Sequence, residues 1–104
     1  MGMYSLTLRN APDFISQLEA LIGVNDDQAL LNTDLLIETL RARSGPLPSL
    51  KGGSVDPWYL RERQTYGRML PLIEGAAAQI RHRDYAQAKK ALSDAIAIAN
   101  QTQF

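Results

Sequence analysis

From residue 10 onward the apolar positions recur at the spacing of α-helices. Phe14, Ile15, Leu18, Leu21 and Ile22 fall three or four apart, which lays them on one face of a helix. Asn10-Ala11-Pro12-Asp13 precedes that stripe with a capping residue, a proline tolerated in the first turn and an acid at the positive end of the helix dipole. Gly23 supplies the left-handed residue that ends such a run. The pattern predicts a first helix from about residue 11 to residue 22. Asn25 or Asp26 opens a second, in which Leu30, Leu31, Leu35, Leu36, Ile37 and Leu40 cover more than half the circumference. So wide an apolar surface predicts contact on two sides: either this helix is the central element of the core, or one flank is an interface for another chain.

Residues 44–56 hold two prolines and three glycines, which excludes a regular helix or a central strand. Loops near this length are uncommon in compact domains. The segment is expected to be a crossover between helices, or a partner-binding or lid segment, with Leu47 and Leu50 as its apolar anchors. Asp56-Pro57 marks the next helix start. Tyr59, Tyr66, Met69, Leu70, Ile73, Ala76, Ala77 and Ile80 then trace a stripe to about residue 81, and Pro71 inside it predicts a kink or a break near Leu70. Asp84 caps a fourth helix carrying Tyr85, Ala88, Leu92, Ala95, Ile96 and Ala99 on one face, and residues 101–104 are expected to fray. At the other end, Tyr4, Leu6 and Leu8 alternate with Ser5, Thr7 and Arg9, a period of two that predicts a short extended arm over residues 1–9. The arm is expected to lie across the bundle or to pair with another chain. Together these elements predict one all-α domain over residues 1–104: a four-helix antiparallel bundle with one long Pro/Gly-rich loop and a kinked third helix.

Within residues 72–100, Arg83-Asp84-Tyr85 followed by Ala88, Leu92 and Ala95, with Ala76 upstream, resembles one hairpin of the tetratricopeptide type. Small residues on the seam of such a hairpin let two helices approach closely. Gln79 stands where that repeat has an aromatic residue, Arg83 where it has its turn glycine, and Asn100 where it has its closing proline. A single hairpin does not make the array, which needs about three repeats. What the resemblance implies is an adaptor or chaperone role more readily than a catalytic one.

The composition narrows the function classes. The chain has 104 residues and no cysteine, which excludes disulfides, a thiol nucleophile, iron–sulfur clusters and thiolate zinc sites. No apolar run approaches the ~18 residues of a membrane span, and the N-terminus has neither a secretory signal pattern nor, with Leu6 at the sixth position, a myristoylation pattern. Cytoplasm is the expected compartment. Lysine plus arginine and aspartate plus glutamate number 11 each, but the charges are segregated. Residues 1–40 carry Asp13, Glu19, Asp26, Asp27, Asp34 and Glu38 against Arg9 alone. The halves are expected to face one another within the fold or across a dimer.

The aromatic and basic residues that open the third helix are the candidate binding residues. Trp58, Tyr59 and Tyr66 interleave with Arg61, Arg63 and Arg68, residue types enriched at protein interface hot spots and also suited to stacking bases and contacting phosphates. Helical spacing puts Tyr59, Arg63, Tyr66 and Leu70 along one side and Trp58, Arg61, Thr65 and Arg68 along another. His82, the one histidine, sits between Arg81 and Arg83 near a predicted helix end, where a surface or capping role explains it. Asp26 and Asp27 read as helix-start residues, and Lys51-Gly52-Gly53-Ser54 lacks the strand, glycine spacing and helix of a phosphate-binding loop. No metal ligand set or cofactor motif emerges, so none is expected. The expected function is a non-enzymatic protein–protein interaction module, an adaptor, assembly factor or chaperone, using Trp58, Arg61 and Arg68 with Leu47 and Leu50. The alternatives are a nucleic-acid-binding accessory using the Arg/Tyr face, and a homodimeric structural component joined through the leucines of the second helix.

Overall fold

The computed structural model describes residues 6–44 and 57–101. Among them the chain forms four α-helices and no strand: α1 Ala11–Leu21, α2 Asp26–Ser44, α3 Pro57–Arg81 and α4 Tyr85–Gln101. Residues 1–5 of the predicted arm and 45–56 of the predicted loop, Leu47 and Leu50 included, lie outside the described residues.

The helix ends follow local chemistry, with one departure. Asn10 takes near-helical backbone angles (φ −98°, ψ −7°) and makes no side-chain cap to α1. Its side-chain Oδ1 instead accepts the Thr7 backbone N–H at 2.7 Å, and its own backbone N–H donates to Thr7 Oγ1 at 3.2 Å. A capping residue normally holds extended angles that aim its side chain at the first turn, so the helical angles of Asn10 turn its amide back toward the arm. Gly23 ends α1 with φ +80°, and Val24 and Asn25 donate to the Leu21 carbonyl at 3.0 and 2.8 Å. Asn25 caps α2 through Oδ1, which accepts the Gln28 N–H at 3.3 Å. At α4 the Asp84 Oδ1 accepts the Gln87 N–H at 3.4 Å.

Each helix packs on its neighbours in the chain, and α1 also packs on α4, leaving α1 and α3 on one diagonal and α2 and α4 on the other. Two ion pairs cross from α2 to α3, Arg41 to Glu74 at 2.7 Å and Asp34 to Arg81 at 3.6 Å. The higher number on one helix meets the lower on the other, so the two run antiparallel. The core between the helices holds Ile15, Leu18, Leu36, Leu40, Tyr66, Met69, Ile73, Ile80 and Leu92. Leu6 and Leu8 are buried in it while Thr7 and Arg9 are exposed, and the Arg43 guanidinium donates to the Leu6 carbonyl.

α2 is not the central element that the width of its leucine surface suggests. Ala29, Leu36, Ile37 and Leu40 are buried, but Leu31 and Leu35 are 59% and 51% exposed. At about 100° per residue these two lie opposite the buried stripe, and among the described helices α1 and α3 are the ones that pack on α2. Thr33 fits the apolar side because its hydroxyl donates to the Ala29 and Leu30 carbonyls at 2.6 and 3.0 Å.

α3 runs unbroken through Pro71, so the break expected near Leu70 does not occur. Pro71 is exposed on the outer face, as is Gly67, the residue whose carbonyl loses its helical donor. A carbonyl on an exposed residue can bond to water in place of the missing donor, which would offset part of what proline removes. Farther along, Ala76 and Ala77 of α3 and Ala88, Ala95 and Ala99 of α4 are all buried, giving the small-residue seam expected of a tight helical hairpin. Its turn places Arg83 at φ +60°, a left-handed angle that favours glycine.

Candidate functional site

The buried stripe of α3 begins at Thr65 and Tyr66 and continues through Met69 and Ile73. Seven residues upstream of the first two, at the same angular positions, stand Trp58 and Tyr59. There the helix has passed the level of the core, and Trp58, Tyr59 and Leu60 are 39%, 43% and 37% exposed. α3 therefore presents three consecutive large apolar side chains, with arginines on both of its sides.

On the α2 side, Ala42, Arg43, Tyr59, Glu62, Arg63 and Tyr66 line a cleft of about 310 Å³. The Arg63 guanidinium lies 5.6 Å from the Tyr59 ring centroid and donates to the Tyr59 hydroxyl at 3.2 Å. Arg43 lies 6.0 Å from the Tyr66 ring centroid, and the Tyr66 hydroxyl donates to Glu62 Oε1 at 3.2 Å. Burial, with the negative charge of Glu62 adding to it, pushes the Tyr66 phenol up to about 12. That hydroxyl keeps its proton and acts as a structural donor.

On the α4 side, Arg61, Gln64, Thr65, Arg68 and Gln101 line a second cleft, of about 330 Å³. The structure thus brings Arg61 and Arg68 into one cleft and keeps Trp58 within a helical turn of Arg61. Arg63 belongs with the cleft on the other side. Gln101 was invisible from the sequence as a site residue, because it reaches the cleft from the end of another helix. Gln64 could have been found, since it sits three residues after Arg61 and four before Arg68 on the same side of a helix. The two-sided split of the aromatic face was legible in the helical spacing; that Tyr66 is core while Tyr59 is exposed was not.

His82 and Asp26 lie at turns and helix ends. His82 is exposed in the turn after α3, with its backbone N–H on the Ala78 carbonyl at 3.1 Å. Asp26 accepts the Tyr85 hydroxyl at 2.5 Å through Oδ2 and the Gly23 N–H at 2.8 Å through Oδ1, joining the α1–α2 turn to the start of α4. Those two hydrogen bonds, Tyr85 first, hold its carboxyl below the ordinary carboxylate range. Among the described residues no three of His, Cys, Asp and Glu converge as a metal ion would require, and no helix is long and apolar enough to cross a membrane. Among the described residues Asp34–Arg81 joins the acidic half to the basic half, while Arg41–Glu74 pairs a base and an acid that both belong to the second half.

No family model, curated protein or solved structure matches the chain. What the geometry offers is apolar and aromatic surface beside guanidinium and carboxamide donors, a combination that recognises apolar side chains together with planar anions.

Proposed function

We propose that the chain is a small non-enzymatic protein–protein interaction module, of adaptor, assembly-factor or chaperone type, whose partner sits on the N-terminal end of α3. The observation that carries this reading is the exposure of Trp58, Tyr59 and Leu60, three successive residues that fan around the first turn of α3, between two clefts that hold arginines. Burying such aromatic and arginine side chains at the centre of an interface supplies most of the energy of typical complexes. Trp58→Ala is expected to weaken partner binding by more than ~1 kcal/mol while leaving the helical circular dichroism unchanged. The check is capture of partners from host lysate by wild type and variant, with and without nuclease. A variant that captures the same protein with undiminished affinity would sink the reading.

A second reading is favoured by a separate observation, the outward-facing Leu31 and Leu35 of α2. One helical turn apart on one face, they form the flank through which two copies of the chain would pair as a homodimeric structural component.

A further inference from the structure

The cleft on the α4 side of α3 is lined almost entirely by hydrogen-bond donors. Arg61 and Arg68 are seven residues apart, about 10 Å along the helix axis, with Gln64 and Thr65 between them and Gln101 closing the cleft from α4. Among the described residues the lining consists of two guanidinium groups, two carboxamides and one hydroxyl, with no carboxylate. The Thr65 hydroxyl is committed to the Arg61 carbonyl at 2.8 Å. Among the described residues Arg68 makes no ion pair; the two that occur, Arg41–Glu74 and Arg81–Asp34, lie where α3 faces α2. The acids of α3 are turned the same way, since Glu62 lines the α2-side cleft and Glu74 meets Arg41.

We propose that this cleft takes a side-chain carboxylate from an acidic segment of the partner protein, with Arg68 as the principal donor and Gln64 and Gln101 adding to it. The proposal rests on the reading of the α3 end as a protein interface. A planar carboxylate matches a guanidinium fork, and a volume of about 330 Å³ admits an aspartate or glutamate side chain with its backbone. Trp58 and Leu60, within a turn of Arg61, offer apolar surface to the residues flanking that acid. A nucleic-acid backbone would instead ask for a continuous basic track. Here the arginines that line the α4-side cleft are two, Arg61 and Arg68, and the chain has a formal net charge of +0.

Trp58 is the one tryptophan of the chain and sits three residues before Arg61, so its fluorescence reports occupancy of the cleft. The full chain is titrated with a capped hexapeptide of alternating glutamate and leucine, with its glutamine counterpart, and with a single-stranded hexathymidylate. The expected result is saturable binding of the glutamate peptide, none of the glutamine peptide, and a loss of about tenfold or more in Arg68→Gln. Arg68 is exposed, so that variant should retain the wild-type circular dichroism. The proposal is overturned if the glutamate peptide fails to bind, if Arg68→Gln binds it as wild type does, or if the oligonucleotide binds more tightly and needs Arg68. Partner capture separates this failure from failure of the interface reading. Should Arg68→Gln keep a partner that Trp58→Ala loses, the cleft proposal falls and the interface stands; should both variants keep it, the interface reading itself falls.

Discussion

Gln79 carries the clearest residue-scale conflict in the molecule. Its Oε1 is buried without a hydrogen-bond partner among the described residues, on the α3 segment that packs against α4 through alanines. A buried acceptor left unmade costs roughly 1–3 kcal/mol relative to a satisfied one. Gln79→Leu removes that acceptor at similar size, and we expect it to stabilise the protein by about 1 kcal/mol, read as a higher urea midpoint with unchanged slope. A lower midpoint would mean that the carboxamide is satisfied and that leucine strains the seam. Thr33 shows the contrast, because its buried hydroxyl reaches the Ala29 carbonyl at 2.6 Å. Backbone strain is handled as unevenly: the turn after α1 uses Gly23 at φ +80°, whereas the turn after α3 holds Arg83 at φ +60°.

Between elements, the bond from Tyr85 to Asp26 is the tie with a pH signature. Asp26 is held below the ordinary carboxylate range, first by the Tyr85 hydroxyl and then by the Gly23 N–H. A carboxyl held low adds stability above the unfolded carboxylate range, and the gain is lost as pH falls through the folded value. The same bond raises the Tyr85 phenol, whose contribution is complete below the ordinary phenol range and lost as pH rises through the raised value. The tie is therefore strongest between about pH 4 and pH 10. Tyr85→Phe is expected to lower the thermal midpoint most at neutral pH, with the gap to wild type narrowing below about pH 4. A gap that stays constant from pH 3 to pH 8 would show that the carboxylate plays no part. Pro71 makes a related point about elements: a residue that reads as a helix breaker is accommodated because it faces solvent.

For the molecule as a whole, the open matter is whether α2 ends its packing at α1 and α3. Leu31 and Leu35 face away from both, so pairing of two chains would bury them at little conformational expense. On that reading, light scattering over a concentration series shows wild type approaching the dimer mass, and a Leu31→Gln, Leu35→Gln double variant staying a monomer. Wild type that remains monomeric at every concentration eliminates the homodimer. The double variant should leave the fluorescence titration of the α4-side cleft unchanged, because the cleft is lined by α3 and α4.

Helix identity was legible in the sequence because amphipathic periodicity, caps and glycine stops are local properties. Ile15, Leu18, Leu36, Leu40, Ile73 and Leu92 were identifiable as core candidates from spacing alone, since a stripe must be buried somewhere. The sequence also named binding candidates at the aromatic and basic opening of α3, together with Leu47 and Leu50 of the segment before it. Periodicity names a face, however, and not what covers it. Only the tertiary arrangement decided that Tyr66 is core and Tyr59 exposed, that the leucines of α2 divide between core and surface, and that Gln101 joins Arg61 and Arg68. Each depends on where another helix ends or stands, and that is set by packing between residues far apart in the chain.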